Sequence, residues 1–232
     1  MKRYGKTGTA PSWSGRPANK IMSPSRIIDF PLYLITDRRV LPPGRTLLEA
    51  VEGALAGGIR AVQLREKDLS VAELYPLAQE MRDLTRRYRA RLLINDRLDL
   101  AQAVQADGVH LGGHSLPTAV ARQILGNSFL IGVSTHDPAE ISLHANAEAD
   151  FVTFGPVYAT PSKLAFGDPV GESQLATACD ESPLPVFALG GVRRERLAAI
   201  KSCGAHGAAM IAAVLAADDP SRAATELLAD WS

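Results

Sequence analysis

The feature that most constrains this 232-residue chain is an alternation of short apolar runs with longer amphipathic stretches. The runs are apolar almost throughout, which is typical of parallel strands that are covered on both faces. The stretches between them space apolar residues three and four apart, as at Leu74, Leu77 and Ala78, and this spacing predicts helices. The eight runs cover residues 32–35, 61–64, 92–94, 108–111, 130–133, 151–154, 186–189 and 208–211.

Eight strand–helix units in roughly 200 residues predict an α/β fold with a single (β/α)8 TIM barrel rather than an open sheet. A weak internal repeat supports the barrel, because each copy ends a helix in small residues and then starts a strand. The copies begin at Gly57, Ala106, Ala149 and Gly204. A simple preference of helix-to-strand turns for Gly and Asp is the alternative explanation.

Residues 1–30 differ from the rest, and we expect them to form a basic, flexible tail outside a barrel of residues 31–232. The tail has no apolar segment of a secretory signal, and its glycines and prolines interrupt any transit-peptide helix. Translation from Met22 instead of Met1 is an alternative. The basic residues are Lys2, Arg3, Lys6, Arg16, Lys20 and Arg26, against the single acid Asp29.

Composition excludes several classes of partner. The chain has 25 basic and 25 acidic residues and a pI near 7.0, so it has no bulk attraction for nucleic acid or anionic membranes. No apolar run is long enough to span a bilayer. Cys179 and Cys203 form no C-x-x-C pair, which favours a reduced, cytoplasmic compartment. We expect small-molecule substrates, and the sequence leaves a homo-oligomer open.

A barrel places its site at the carboxyl ends of the strands, and polar residues follow several runs there. Alternation sends Gln63, Arg65 and Lys67 to one side of the second strand, and the two cations suggest a bound anion. A salt-bridged strand end is the alternative. Asn95 and Asp96 follow the third run and predict either a Mg²⁺ site or an N-cap for the next helix.

The later strand ends suggest a phosphate site. Hydroxyls at Ser134, Thr160 and Ser162 beside the amine of Lys163 make a phosphate cradle, and the Pro-containing segment 161–169 is expected to act as a lid. Gly190 and Gly191 follow the seventh run, where barrels often bind phosphate. His110 is expected to be a hydrogen-bonded interior residue. Ser134 and His136 are two residues apart and should diverge, which disfavours a hydrolase dyad.

Taken in order, six motifs at strand ends resemble the thiamine phosphate synthase/TenI superfamily over about residues 32–215. They are Gln-x-Arg-x-Lys at 63–67, Ile-Asn-Asp-Arg at 94–97, Asp-Gly-Val-His-Leu-Gly at 107–112, Gly-Val-Ser-Thr-His at 132–136, Phe-Gly-Pro-Val-Tyr-x-Thr-x-Ser-Lys at 154–163 and Leu-Gly-Gly-Val at 189–192. The series is more specific than any one of its members, and it identifies the superfamily better than it identifies one activity.

The resemblance implies a transferase that joins a pyrimidine pyrophosphate, 4-amino-2-methyl-5-hydroxymethylpyrimidine pyrophosphate, to a thiazole phosphate, with departure of pyrophosphate first. It implies that the pyrimidine pyrophosphate is held by Gln63, Arg65, Lys67, Asn95, Ser134 and Lys163. It assigns Mg²⁺ to Asp96 and the thiazole phosphate to Thr160, Ser162, Gly191, Ile211 and Ala212. The residues expected to act on the reaction are Arg65, Lys67, Lys163, Ser134 and, for the alternative below, His136.

Two departures from the family pattern matter. Ser115 stands where the synthases carry an Asp as second metal ligand, and Ala212 replaces a Ser at the eighth strand. TenI-like thiazole tautomerases also lack that Asp, need no metal and use a histidine in the segment that contains His136. We favour the synthase because a tautomerase has little use for so complete a pyrophosphate clamp. A non-catalytic phosphate-binding barrel is a further alternative, whereas a sugar-phosphate epimerase is disfavoured because paired acidic residues do not recur at strand ends.

Overall fold

The parallel strands form a closed barrel, in the order β1 to β8, in a computed structural model that describes residues 26–160 and 168–232. The predicted (β/α)8 fold is confirmed. Each neighbouring pair is parallel, and β8 closes the barrel by pairing with β1. The strands are β1 (Leu32–Ile35), β2 (Ala61–Leu64), β3 (Arg91–Asn95), β4 (Gly108–Leu111), β5 (Leu130–Thr135), β6 (Phe151–Phe154), β7 (Val186–Leu189) and β8 (Gly207–Met210).

Helices follow the strands on the outside of the barrel. Helices α1 and α2 begin with reciprocal capping boxes, Thr46 with Glu49 and Ser70 with Glu73, which satisfy the free N–H groups at their first turns. No helix within the described ranges is long and apolar enough to cross a membrane. The helices are α1 (Leu47–Ala56), α2 (Val71–Arg87), α3 (Leu98–Ala103), α4 (Thr118–Leu125), α5 (Pro138–Asn146), α6 (Gly171–Glu181), α7 (Leu197–Ser202), α8 (Ala212–Leu215) and α9 (Pro220–Trp231).

The strands β3 and β5 extend beyond their predicted runs, to Arg91–Asn95 and Leu130–Thr135, and β8 spans Gly207–Met210 instead of residues 208–211. Ile211 has left the strand conformation, with φ −123° and ψ −83°. Its backbone therefore turns at the rim of the barrel, next to the first residue of α8. This places Ile211 and Ala212 at the carboxyl end, as the site prediction requires.

Aromatic rings fill the amino-terminal half of the barrel interior. Phe30, Tyr33, Phe151 and Phe187 are buried, and their ring centroids lie between 5.4 and 6.1 Å apart. Such tilted and edge-on contacts are the favourable arrangements for aromatic pairs. These four residues, called the aromatic plug below, leave the opposite, carboxyl-terminal half of the interior for polar side chains.

Two residues of the expected tail, Arg26 and Phe30, are buried against the barrel. Phe30 belongs to the aromatic plug, and Arg26 is 6% exposed. Arg26 Nε donates to Asp150 Oδ1 at 2.5 Å, and Arg122 Nη2 donates to Asp150 Oδ2 at 2.7 Å. A buried carboxylate thus holds two arginines, one of which reaches it from residue 26. The rest of the predicted tail, residues 1–25, lies outside the described part of the chain.

Asp107 and Asp150 explain part of the internal repeat. Each aspartate comes directly before a strand and accepts a hydrogen bond from a backbone N–H of the preceding strand, Leu92 N at 2.7 Å and Ile131 N at 2.8 Å. Each also pairs with an arginine of an outer helix, Arg82 for Asp107 and Arg122 for Asp150. At these two copies the Asp therefore ties the starts of neighbouring strands together, which a general turn preference does not require.

Replacement of Asp150 by Asn should strongly destabilise the fold, because Asp150→Asn leaves two buried guanidinium groups without a counter-charge. Breaking a buried ion pair from one side costs about 3–5 kcal/mol. Urea unfolding at neutral pH should show this loss in the free energy of unfolding. The exposed Asp218 supplies the matched control Asp218→Asn, which should unfold like the wild type. Equal stability of the two variants would contradict the assignment.

Candidate active site at the carboxyl end of the barrel

A chain of hydrogen bonds crosses the barrel interior above the aromatic plug. Gln63 Nε2 donates to the hydroxyl of Tyr33 at 2.9 Å, and that hydroxyl lies 3.4 Å from His110 Nδ1. His110 Nε2 lies 3.1 Å from Ser134 Oγ, which also accepts from Thr153 Oγ1 at 3.4 Å. The chain joins five strands, and the prediction of His110 as a hydrogen-bonded interior residue is confirmed.

The network is electrically neutral. Burial lowers the pKa of His110 to about 3, and the positive charge of Arg65 acts in the same direction. Burial raises the pKa of Tyr33, although the hydrogen bond from Gln63 opposes this. Because Tyr33 accepts from Gln63, its own O–H points to His110 Nδ1, and Nε2 of the neutral imidazole donates to Ser134. Ser134 Oγ then accepts from both His110 and Thr153, so its own hydroxyl hydrogen is not used within this network.

Arg65 follows Gln63 on the same face of β2 and lies half-buried at the mouth. Its backbone N–H donates to Thr36 Oγ1 at 2.8 Å. Burial lowers the pKa of its guanidinium, partly offset by the charge of Asp37. Asp37 itself pairs with Arg39 at 2.8 Å, and no described residue accepts a hydrogen bond from the Arg65 guanidinium. This arrangement favours the anion-site interpretation of Arg65 over the salt-bridge alternative.

Sequence reasoning missed the buried acid that holds this strand end in place. Glu66 is only 4% exposed and lies between Arg65 and the exposed Lys67. Its carboxylate accepts from the backbone N–H of Arg38 at 3.2 and 3.1 Å and from Arg38 Nη1 at 3.2 Å. The Arg38 guanidinium also donates to both carboxylate oxygens of Asp68, from Nη1 at 2.9 Å and from Nη2 at 2.8 Å. The loops after β1 and β2 are therefore tied together. The available signal in the sequence was the single acidic residue, Glu66, between the basic residues Arg65 and Lys67.

Asn95 and Asp96 lie at the tip of β3, half-buried and exposed respectively. Asp96 has φ 65°, a left-handed conformation that is uncommon outside glycine, and its N–H donates to the carbonyl oxygen of His110 at 2.9 Å. Helix α3 starts after Arg97 and has no side-chain cap, so the N-cap interpretation of these two residues is wrong. The Asp96 backbone is held by β4, and its carboxylate is exposed at the rim.

Asp96 shares a cavity with Ser115, the residue that replaces the expected second carboxylate. The cavity has a volume of about 550 Å³ and lies between the starts of α3 and α4. Ser115 Oγ accepts from the backbone N–H of Gly112 at 2.8 Å. Within the described ranges no three His, Cys, Asp or Glu side chains converge as a metal site. The structure thus brings the two positions together but provides only one of the two expected carboxylates.

Ser134 and His136 diverge as expected, but the reason is that β5 ends at Thr135 and His136 lies beyond it, since two residues of one strand at this spacing would share a face. Ser134 belongs to the interior network, whereas His136 is exposed beyond the strand. His136 Nδ1 faces the carbonyl oxygen of Gly155, and the His136 backbone N–H donates to Glu140 Oε2 at 2.8 Å. The imidazole is held against the end of β6, away from Ser134. The two residues form no hydrolase dyad.

The predicted thiazole-phosphate residues are only partly described. Gly191 follows β7 with φ 62°, and Ile211 and Ala212 follow β8, the strand paired with β7. Thr160 is half-buried after β6. Ser162 and Lys163, with most of the predicted lid, lie outside the described residues. The structure therefore gathers Gly191, Ile211 and Ala212 at neighbouring strand tips.

The low pKa of His110 predicts a stability that depends on pH. Between the ordinary value of 6.5 and about 3, the unfolded chain binds a proton that the folded protein does not bind. The free energy of unfolding should therefore fall as the pH falls, by up to about 1.4 kcal/mol per unit. His110→Gln removes this contribution, while His144 and His206, whose pKa values burial also lowers, keep theirs. Urea unfolding at pH 7.5 and 5.5 should give a smaller difference in the variant than in the wild type. Equal differences would refute this role of His110.

Comparison with known proteins agrees with this geometry. The family model described as thiamine monophosphate synthase matches residues 32–214. A Geobacter sulfurreducens protein provisionally named thiamine-phosphate synthase is 55% identical over 202 residues, covering 87% of this chain and 94% of the relative. The thiamine-phosphate synthase of Syntrophomonas wolfei is 43% identical over 203 residues, covering 88% and 97%.

A solved structure supports the same relationship. The thiamine phosphate pyrophosphorylase of Pyrococcus furiosus superposes with a TM-score of 0.79 at 34% identity, covering 87% of this chain and 95% of that protein. The motifs that the sequence analysis identified lie at the strand ends inside the matched region. The chain therefore belongs to the thiamine monophosphate synthase family.

Proposed function

We propose that this protein catalyses the coupling of a pyrimidine pyrophosphate to a thiazole phosphate, which yields thiamine phosphate and pyrophosphate. The observation that carries the proposal is the half-buried Arg65 guanidinium at the barrel mouth, which has no hydrogen-bond acceptor among the described residues. A desolvated cation of this kind is stabilised by a bound anion. Relatives that align over nearly the whole chain are named as synthases of this type.

The chemistry needs negative charge to be stabilised as it develops on a leaving group. The bond between the pyrimidine methylene carbon and the pyrophosphate oxygen breaks, and its electron pair leaves with the oxygen. We assign Arg65, Lys67 and the hydroxyl of Ser134 to the binding of that pyrophosphate; the half-buried Arg65 and the network position of Ser134 support this. Preorganised donors aimed at a developing charge lower a barrier more than donors that must first reorganise. The lone pair of the thiazole nitrogen then forms the new bond to the methylene carbon.

The neutral interior suits the cation that remains after departure. A protonated histidine below the pyrimidine would repel it, but the low pKa keeps His110 uncharged at neutral pH. Gln63 is buried with its amide oxygen not engaged by Tyr33, since the amide nitrogen makes that bond. Gln63 and the network therefore offer dipoles instead of a positive charge to the pyrimidine ring. This is the role we assign to the interior hydrogen bonds.

The residues fit a Mg²⁺ ion that is completed by substrate. Mg²⁺ is usually held by one or two carboxylates, with waters and phosphate oxygens as further ligands. Asp96 offers an exposed carboxylate on the cavity that it shares with Ser115. We propose that Asp96 holds the ion, with pyrophosphate oxygens in place of the second carboxylate. When bound, the ion would add positive charge next to the leaving group.

We also propose that the protein acts in the cytoplasm on small-molecule substrates. Its two cysteines are both free thiols, which suits a reduced compartment. The equal numbers of acidic and basic residues support the absence of a nucleic-acid partner.

A coupling assay tests the proposed function. Purified protein with pyrimidine pyrophosphate, thiazole phosphate and Mg²⁺ should release thiamine phosphate and pyrophosphate in equal amounts. Metal-free isomerisation of a thiazole carboxylate, lost in His136→Asn and without any coupling, would instead establish the tautomerase. Binding of both phosphates without either reaction would establish the non-catalytic barrel.

Arg65→Gln should cripple binding of the pyrimidine pyrophosphate. Loss of a charged hydrogen-bond partner of a phosphate costs about 1.5–3 kcal/mol, or roughly ten- to more than a hundredfold in kcat/KM. The control Arg89→Gln removes an exposed arginine from the turn before β3, at the opposite end of the barrel. Steady-state kinetics should show the loss in the first variant alone, with unchanged thermal unfolding in both. Wild-type kinetics in Arg65→Gln would remove Arg65 from the site.

Metal binding should respond to the two rim positions in opposite directions. Ser115→Asp puts a carboxylate at the second expected ligand position, in the same cavity as Asp96, and should lower the Mg²⁺ concentration needed for half-maximal activity by about tenfold. Asp96→Asn should raise it. Asp99 lines the same cavity but pairs with Arg97, so Asp99→Asn is the control and should change it little. Calorimetric titration of Mg²⁺ in the presence of pyrophosphate gives a readout apart from activity. Full coupling in excess chelator would disprove the metal assignment.

A further inference from the structure

The loop after β7 carries an arginine that the predicted site did not include. Arg196 ends the short 3-10 turn Arg194–Arg196, and its Nη1 donates to the carbonyl oxygen of Gly191 at 2.5 Å. Its Cζ lies 4.2 Å from the centre of the Tyr158 ring, within the range of a cation–π contact. The guanidinium is therefore held between the loops after β6 and β7, directly over the glycine turn.

The neighbours of Arg196 are themselves fixed. Tyr158 N donates to the carbonyl oxygen of Gly190 at 3.1 Å, and its hydroxyl donates to Glu172 Oε1 at 2.7 Å. A Cβ added at Gly191 would lie 2.8 Å from both Arg196 Nη1 and Tyr158 Cβ, closer than real side chains approach. Only glycine permits this packing, so Gly191, Tyr158 and Arg196 form one preorganised unit.

Most donors of the Arg196 guanidinium stay uncommitted. An arginine side chain has five N–H donors, and within the part of the chain that the structure describes only the bond to Gly191 is formed. The other contact, with the Tyr158 ring, uses the face of the guanidinium and not its N–H groups. A planar cation with fixed orientation and open donors matches the oxygens of a phosphate group.

The residues already assigned to the thiazole phosphate carry no positive charge. Among the described residues, Thr160 carries a hydroxyl, and Gly191 and Ile211 offer backbone amides. The side chain of Ala212, at the position where the resemblance implies Ser, offers only a methyl group. A phosphate monoester at neutral pH carries between one and two negative charges, so this set lacks a counter-charge. Arg196 lies on the same loop as Gly191, and β7, the strand before that loop, pairs with β8.

We propose that Arg196 is the cation of the thiazole-phosphate subsite and replaces the donor that is missing at Ala212. The assignment rests on the proposed function. It makes the phosphate, and not the thiazole ring, the group that Arg196 recognises. The corresponding thiazole alcohol should therefore bind independently of Arg196.

The test compares Arg196→Gln with Arg193→Gln, which removes an exposed arginine three residues earlier that makes no described side-chain contact. In the coupling assay, Arg196→Gln should raise the KM for thiazole phosphate about tenfold or more, with an unchanged KM for the pyrimidine pyrophosphate. Calorimetry should show the same loss of affinity for thiazole phosphate and none for the thiazole alcohol. Arg196→Lys keeps the charge and should recover part of the affinity, while Arg193→Gln should match the wild type.

Three results would overturn the assignment. Unchanged affinity for thiazole phosphate in Arg196→Gln would remove the arginine from the subsite while leaving the proposed function intact. An equal loss of affinity for thiazole phosphate and for the thiazole alcohol would show that Arg196 only shapes the loop. If Arg196→Gln does not fold, the same comparison is made with Arg196→Lys. A wild-type protein that binds no thiazole phosphate and couples nothing would refute the proposed function and this assignment together.

Discussion

A closed barrel has a single narrow interior, and every side chain that points into it must be packed and, if polar, hydrogen-bonded without help from bulk water. This chain meets that constraint in two layers. Phe30, Phe151 and Phe187 fill the amino-terminal half of the interior. The polar side chains of Tyr33, Gln63 and His110 form a layer in the carboxyl-terminal half. Because Gln63 donates to Tyr33, each residue from Gln63 to His110 donates to the next one, and the chain ends at Ser134. The buried chain therefore fixes the position of Ser134, the network residue assigned to the site.

The two ends of the barrel use charge for opposite purposes. At the amino-terminal end, Asp150 pairs with both Arg26 and Arg122, and the carboxylate is buried with its partners. At the carboxyl end, the Arg65 guanidinium lacks a described acceptor, while its neighbours Asp37 and Glu66 are occupied by other arginines. Paired charges hold strands together, and an unpaired cation is available for a ligand. This division agrees with the general rule that residues at the amino-terminal face of a barrel contribute to stability, whereas residues at the carboxyl-terminal face form the active site.

The departures from the family pattern fall at the rim and leave the interior intact. Ser115 removes a carboxylate and Ala212 removes a hydroxyl, but both positions lie at strand ends where other groups can take over part of the task. Pyrophosphate oxygens can complete a metal site that has one carboxylate, and the Arg196 guanidinium lies beside the glycine turn that follows β7, the strand paired with β8. A side chain at the rim is exposed to ligand and solvent. When its carboxylate or hydroxyl is lost, a neighbouring group or a ligand oxygen can therefore take its place. The buried network has no such freedom, because each of its members has a fixed partner.

Local patterns in the sequence determined the strands and the barrel, and they predicted which residues follow the strand ends. The eight apolar runs coincide closely with the eight strands, and alternation along β2 correctly placed Gln63 inside and Arg65 at the mouth, because both properties depend on neighbours along the chain. Only the tertiary structure decided which distant residues meet. Arg26 belongs to the barrel because Asp150 lies beside it, 124 residues later in sequence. His110 is neutral because closure of the barrel buries it against Tyr33 and Ser134, and Arg196 reaches the site through Tyr158 and Gly191. Such contacts follow from how the strands close into a cylinder, and no periodicity along the chain encodes them.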